Sequence, residues 1–476
     1  LNMPLILPGN VGSATAATGY NVANSVRFNP GDSAYMHKTP SAGNRQKATF
    51  SCWVKRSLIG SAQTLFWAGS DNSNYQTFPR FLASDKLVVG EVNSGSTTWE
   101  IVTDRVFRDV SAWYHIVIAM DTTQGTAANR IKIYVNGVQE TSLDTSGGYP
   151  AEDRNTLINT GVPHQIGHDY VAQYYGGYVA EACFLEAAQS APTDFGEFDG
   201  DSPTIWKPID VSGLTFGTNG FYLDFEASGN LGNDANGGTD LTEVNLAATD
   251  QSTDTCTNNF ATLNPLNYGT NFSFSEANLQ IAQSASNWDT AYSSIGVTSG
   301  KWYMEYKGKV GAYHDIGVTD VITPTTNPSV STGGVAWKSN SEFARAGSVS
   351  GQPSNVTSPA SNTYTNDDII GIALDMDNEA VYFRKNGGDW EVNSDPESGA
   401  SKTGAVTLPN SGSTYFFAFA AYKGSAASGT GQVNFGGGSV DAISSGNTDA
   451  DGHGNFEHAP PSGYFALCTK NLAEYG

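Results

Sequence analysis

Charged side chains are scarce: Asp, Glu, Lys and Arg make up 15% of the 476 residues, against roughly 25% in ordinary soluble domains. Bases are the scarcer half, 24 against 47 acids, which leaves a net charge of −23. So acidic a surface repels phosphate backbones and anionic lipid heads, which argues against nucleic acid and membrane partners. No run of 18 apolar residues occurs, so no segment is long enough to span a bilayer as a helix. Helical periodicity of useful length is missing too. The four cysteines (Cys52, Cys183, Cys256, Cys468) are scattered without metal-ligand spacing. That argues against zinc and against a disulfide scaffold and favours buried thiols, with a Cys52–Cys183 pair left open. There is no G-x-S-x-G elbow, phosphate loop or dinucleotide fingerprint, and the seven histidines are dispersed.

Gly, Ser, Thr and Asn fill the place of the missing charges, a composition that suits strands and turns. Residues 49–54 alternate polar and apolar, as a half-buried strand does. Residues 113–120 are apolar enough for a central strand, and residues 130–135 alternate into Asn136-Gly137, a hairpin signal because both residues tolerate positive φ. Residues 380–385 lead into Asn386-Gly387 in the same way, and residues 415–422 form an aromatic, almost continuous core strand. Between residues 227 and 263 the apolar pattern collapses into Gly, Asn, Asp and Thr. The expectation is an all-β chain of two tandem antiparallel sandwiches. A docking segment covers residues 1–20, the first sandwich 21–226, a linker 227–263 and the second sandwich 264–476. The opening patch Pro4 to Pro8 lacks a basic flank and is too short for a secretory signal, and Met3 behind Leu1 and Asn2 points to a cleaved or partial chain.

The first region resembles the laminin-G-like, concanavalin-type jelly roll. The pieces that carry this are Ser25-Val26-Arg27-Phe28-Asn29, Phe50-Ser51-Cys52-Trp53-Val54-Lys55, Trp113-Tyr114-His115-Ile116, Ile133-Tyr134-Val135-Asn136-Gly137, Ile166-Gly167 and the strand around Glu181. The second resembles a SPRY domain through Gly300-Lys301-Trp302-Tyr303-Met304-Glu305, Asp315-Ile316-Gly317-Val318, Asp368 to Asp375, Val381 to Gly387 and Gln432-Val433-Asn434-Phe435-Gly436. The opening Pro4 to Gly9, the connector Asn258 to Leu266 and the ending Pro460 to Cys468 resemble virion surface proteins of marine tailed bacteriophages. That resemblance implies a tail fibre on the virion exterior that recognises a host surface glycan or receptor. It also implies contacts with other virion proteins and a homo-oligomer, with a trimer expected. The alternative is a head fibre or capsid decoration protein, docked through Pro4 to Pro8.

Catalysis is not expected. A glycosidase needs two carboxylates flanking the scissile bond, and the one run that superficially suits, Glu197-Phe198-Asp199-Gly200-Asp201, reads as a solvated loop. A polysaccharide depolymerase is therefore the third reading. His164 and His168 flank Gly167 and do not read as joint metal ligands. Calcium is the one cofactor with a case: Asn447, Asp449 and Asp451, followed by Gly452, resemble the first half of an oxygen cage, although position twelve is His458. Most aromatics belong to the cores, but Tyr75, Tyr149, Tyr170, Tyr174 and Tyr175 fall in predicted loops, where rings beside amides suit a glycan.

Overall fold

The computed structural model describes residues 19–171, 173–310, 313–339, 342–345, 355–357 and 363–476. The chain is all-β, built from antiparallel sheets in two compact units that meet in sequence between Thr257 and Asn258. Most of the expected docking segment, residues 1–18, lies outside the described residues.

In the first unit one sheet runs Val138–Gln139, Ile131–Val135, Trp113–Asp121, Lys47–Arg56, Gly177–Glu186, Ser25–Phe28, Gln251–Ser252, with Phe221–Leu223 beside Gly177–Glu186. The other runs Leu143–Asp144, Ser96–Val106, Lys86–Asn93, Asn74–Phe81, Phe66–Asp71, His164–Ile166, Tyr35–Lys38, Thr242–Val244. Alternate residues of both, among them Phe50, Cys52, Ile118, Phe66, Trp99 and Ile166, close over one core. Asn136 and Gly137 take φ of 48° and 78°, the twist a two-residue hairpin needs.

Three expectations change. Residues 47–56 are buried on both faces, not one, because residues 188–222 fold back over the outer side with Phe195, Val211 and Phe216. Cys52 faces the core and Cys183 faces that outer layer, so alternation along their neighbouring strands keeps the two thiols apart. Residues 227–257 are not a linker. Thr242–Val244 and Gln251–Ser252 add edge strands to the two sheets, and Leu231 and Leu241 enter the core. Asp250 pairs with Arg27, and Asp254 pairs with Lys55 at 2.7 Å, both partners 2% exposed. Polar turn residues hid this segment because it is held by ion pairs and short strands.

The second unit stacks two further sheets. One runs Leu263–Tyr268, Asp289–Ser293, Phe416–Tyr422, Tyr313–Thr319, Val335–Lys338, Glu342–Arg345, Asn355–Thr357. The other runs Phe272–Ser275, Gln280–Gln283, Gly429–Asn434, Lys301–Val310, Ile369–Asp375, Ala380–Lys385, Val406–Thr407, and Phe465–Ala466 adds in parallel. Trp302, Met304, Trp337, Ile372, Phe417 and Phe419 are among its core. Phe260, Ala261 and Leu263 already belong to this unit's cores, so it starts earlier than residue 264. The one α-helix among the described residues, Thr469–Tyr475, closes the chain.

Candidate functional site

Alternation on the strand Tyr35–Lys38 sends Met36 into the core and leaves Tyr35 and His37 on the outer face. Its neighbour His164–Ile166 does the same: His164 and Ile166 are buried, and Gln165, the partner of His37, faces out. Gly167, at φ +86°, then turns the chain beneath the Phe28 ring, where a Cβ would come within 2.9 Å. Asp169 shapes the next turn by accepting from the amides of Val171 and Gln173 at 3.1 and 2.9 Å. The Tyr175 amide closes the excursion on the Gly167 carbonyl at 2.8 Å.

These constraints bring four rings into a continuous ladder. The Tyr174 ring stacks on His168 at 4.3 Å and 25°, His168 lies 4.7 Å from Tyr35, and Tyr35 lies 5.8 Å from His37. All four are half-buried, and Tyr170 beside them is 58% exposed. His168 Nδ1 donates to Gln165 Oε1 at 2.8 Å, which leaves Nε2 as an acceptor. Burial lowers the His168 pKa below the usual imidazole range, against the pull of Asp169. The hydroxyls of Tyr35, Tyr170 and Tyr174 have no partner among the described residues. The result is an aromatic surface with polar tips, suited to stack on a ring that is apolar on its faces and hydroxylated at its rim.

Of the five tyrosines expected to bind, the structure brings Tyr174 into the ladder, and Tyr170, two residues from His168, is exposed. Tyr75 sits on the strand Asn74–Phe81, three strands along the same sheet from Tyr35. Tyr149 packs against the core. Tyr175 is fully buried, edge-on to Phe28 at 6.2 Å, and its hydroxyl donates to the Lys55 carbonyl at 3.1 Å. The chain runs extended there, so Tyr174 points out and Tyr175 in. Sequence reading missed Tyr35, His37 and His168; the signal was the alternation of Tyr35 and His37 around Met36.

The residues of the calcium expectation make contacts within the protein. Asp449 Oδ1 accepts from the amides of Asp451 and His453 at 3.0 and 2.8 Å. Its Oδ2 accepts from the Ala466 amide at 2.9 Å and from Asn471 Nδ2 at 2.8 Å. Asn447 Nδ2 donates to the Glu457 carbonyl at 2.9 Å, away from any shared centre, and Asp451 is exposed. Backbone and amide donors thus occupy both Asp449 carboxylate oxygens. Among the described residues no three His, Cys, Asp or Glu side chains are placed to hold a metal ion. His164 and His168 lie on opposite sides of the sheet, with His164 in the interior accepting from the Asn159 amide at 3.1 Å.

One constellation has the look of a nucleophile and its base. Ser51 Oγ lies 2.8 Å from His115 Nε2. Trp206 Nε1 donates to His115 Nδ1 at 2.9 Å, so the ring proton sits on Nε2 and His115 donates to the serine. Burial pushes His115 down to about 3, so this imidazole does not gain a proton at neutral pH. The geometry is the reverse of a serine triad, whose Nδ1 donates to an acid. Glu197 lies on the strand Gly196–Phe198, paired with Trp206–Pro208, Asp199 lies just beyond it in the connecting loop, and both engage Lys207, at 3.3 and 3.2 Å.

Glu181 is the most perturbed acid of the first unit. It occupies a β-bulge at φ +49°, is 5% exposed, and accepts from Tyr222 at 2.8 Å and Tyr20 at 3.4 Å. Burial pushes its carboxyl up to about 8, with Asp224 and Glu226 adding to the shift and the Tyr222 bond opposing it.

Compared with known proteins, residues 29–192 match a laminin G family described as the "Concanavalin A-like lectin/glucanases superfamily". This agrees with the sandwich seen there, so the first unit is a concanavalin-like domain. No curated protein matches the sequence. Similar solved structures include domains LG4-5 of the mouse laminin alpha1 chain, at 7% identity and a TM-score of 0.29, covering 89% of this chain and 90% of that one. The SPRY domain of human HERC1 is similar at 14% identity and a TM-score of 0.25, covering 34% of this chain and 90% of that one. Domain 4 of AbnA, a GH43 extracellular arabinanase from Geobacillus stearothermophilus solved with arabinotriose, is similar at 16% identity and a TM-score of 0.24, covering 31% and 64%. Superpositions this partial transfer neither ligand nor activity.

Proposed function

We propose that this protein is a non-catalytic binding protein whose first sandwich recognises a neutral saccharide on the Tyr174–His168–Tyr35–His37 ladder. The observation that carries the reading is the stack itself: a row of rings with polar tips on the outer face of a concanavalin-like sheet. The reversed Ser51–His115 geometry and the engagement of Glu197 and Asp199 by Lys207 support binding over hydrolysis. The finer role is attachment: a tail fibre on the virion exterior, presenting the ladder to a host surface glycan and gaining avidity as a homo-oligomer. What supports that role is the sequence resemblance of the opening, connecting and closing segments.

The test is an array of neutral oligosaccharides probed with the intact chain, followed by titration of the tightest binder. Tyr174→Ala and Tyr35→Ala each weaken that binder about tenfold, the scale of one lost aromatic contact. Both variants keep the parent melting temperature within a few degrees, since the rings are half-buried. Undiminished binding in both would remove the ladder from the account. Reducing sugar released from the bound glycan would overturn the non-catalytic reading.

A further inference from the structure

The second sandwich repeats the device with different residues. On the strand Phe416–Tyr422, Phe417, Phe419 and Ala421 face the core, which leaves Ala418, Ala420 and Tyr422 on the outer face. Tyr313 is the cross-strand partner of Tyr422. On the other side Asp289 pairs with Ala421, so Trp288 stands opposite Tyr422. Three neighbouring strand ends thus set Trp288, Tyr422 and Tyr313 in one outward row. The ring centroids are 5.6 Å apart from Trp288 to Tyr422 and 6.1 Å from Tyr422 to Tyr313.

The next row along this face is covered. Thr290 donates through its amide to the Pro324 carbonyl and through its hydroxyl to the Thr326 carbonyl, at 2.8 and 3.2 Å. Asp315 accepts from Asn327 Nδ2 at 2.8 Å and Ser329 Oγ at 2.5 Å. The aromatic row therefore lies where that cover stops, and Tyr313 is 44% exposed. Interior tyrosines of this sandwich place their hydroxyls internally: Tyr292 on the Thr323 carbonyl, Tyr306 on His314 Nδ1, Tyr364 on the His314 carbonyl. The indole N–H of Trp288, the hydroxyls of Tyr313 and Tyr422 and the side-chain amide of the exposed Asn287 have no partner among the described residues. Lys423, next to Tyr422, is tied to the Ser284 carbonyl at 3.1 Å, and the Asp289 carboxylate is buried on the Asn271 amides.

We infer that Trp288, Tyr422 and Tyr313, flanked by Asn287, form a second saccharide-stacking site that takes an uncharged sugar chain independently of the first. A purely apolar partner would bury these four polar tips unsatisfied, at a cost in each case. An anionic partner would meet a chain of charge −23 without a free cation in the row. A sugar satisfies both demands, with its C–H faces on the rings and its hydroxyls on the tips. Two sites on one chain would raise avidity for a polymeric glycan without further contacts.

The experiment uses the full chain with the first site disabled by Tyr174→Ala, applied to the same array of neutral oligosaccharides. The Tyr174→Ala chain retains binding to at least one member. Adding Trp288→Ala or Tyr313→Ala to it weakens that binding at least tenfold, and titration quenches or shifts tryptophan fluorescence only while Trp288 is present. Trp288→Ala alone leaves the Tyr174-dependent binder unchanged, which separates failure of this site from failure of the first. Loss of all neutral-glycan binding in Tyr174→Ala, or binding in that chain insensitive to both second substitutions, would overturn the inference.

Discussion

Burying a carboxyl without a cationic partner makes folding take up a proton, and Glu181 shows where that leads. Its unfolded pKa is near 4.5 and its folded pKa about 8, so between these values the folded chain binds a proton that the unfolded chain has released. Stability from this group is therefore complete below about 4.5 and declines as pH rises toward 8. Glu305 acts in the same direction: burial pushes it up to about 7 although it accepts from the Glu457 and His458 amides, at 2.9 and 2.7 Å. Glu181→Gln keeps the shape and removes the titration. Melting curves from pH 5 to pH 8.5 will show the parent losing stability faster than the variant; parallel curves would refute the assignment. Nothing in the sequence marked Glu181 as a titrating group, because the signal is a bulge and a covering Tyr20, both products of tertiary structure.

At the scale of elements, the turn around Asp449 shows how distant partners hold a local pattern. Alternating acids before a glycine carry the signature of an ion loop, and Gly452 does adopt the left-handed conformation, at φ +76°. The partners that decide its use, Ala466 and Asn471, come from farther along the chain. The turn is a clasp for the C-terminal segment, so Asp449→Ala should cost about 3 kcal/mol by orphaning buried donors. Added calcium or a chelator should leave the melting temperature of the parent unchanged; a calcium-dependent rise would restore the ion loop. The strands themselves were readable, since alternation and the two Asn-Gly turns are local. Residues 227–257 were not, because they are short edge strands secured by Asp250 and Asp254 to distant bases. The same limit applied to the aromatic ladder: Tyr174 was visible as a loop aromatic, while the ladder it completes needs Tyr35 from more than a hundred residues away.

For the molecule as a whole, the unit boundary after Thr257 predicts which fragments fold. A fragment of residues 19–257 should unfold in one cooperative transition, and one of residues 19–226 should not, having lost two edge strands, Leu231, Leu241 and the partner of Lys55. Equal cooperativity in both would restore the linker. Among the described residues each sandwich carries an aromatic row on an outer face, the arrangement that the proposed saccharide binding requires. The measurement that bears most directly on this is the affinity of the intact chain for its best neutral oligosaccharide, compared with Tyr174→Ala, Trp288→Ala and the double variant. The account predicts that Tyr174→Ala weakens this binder, that Trp288→Ala alone leaves it unchanged, and that the double variant loses array binding while keeping its melting temperature. A double variant that binds as tightly as the parent would contradict it.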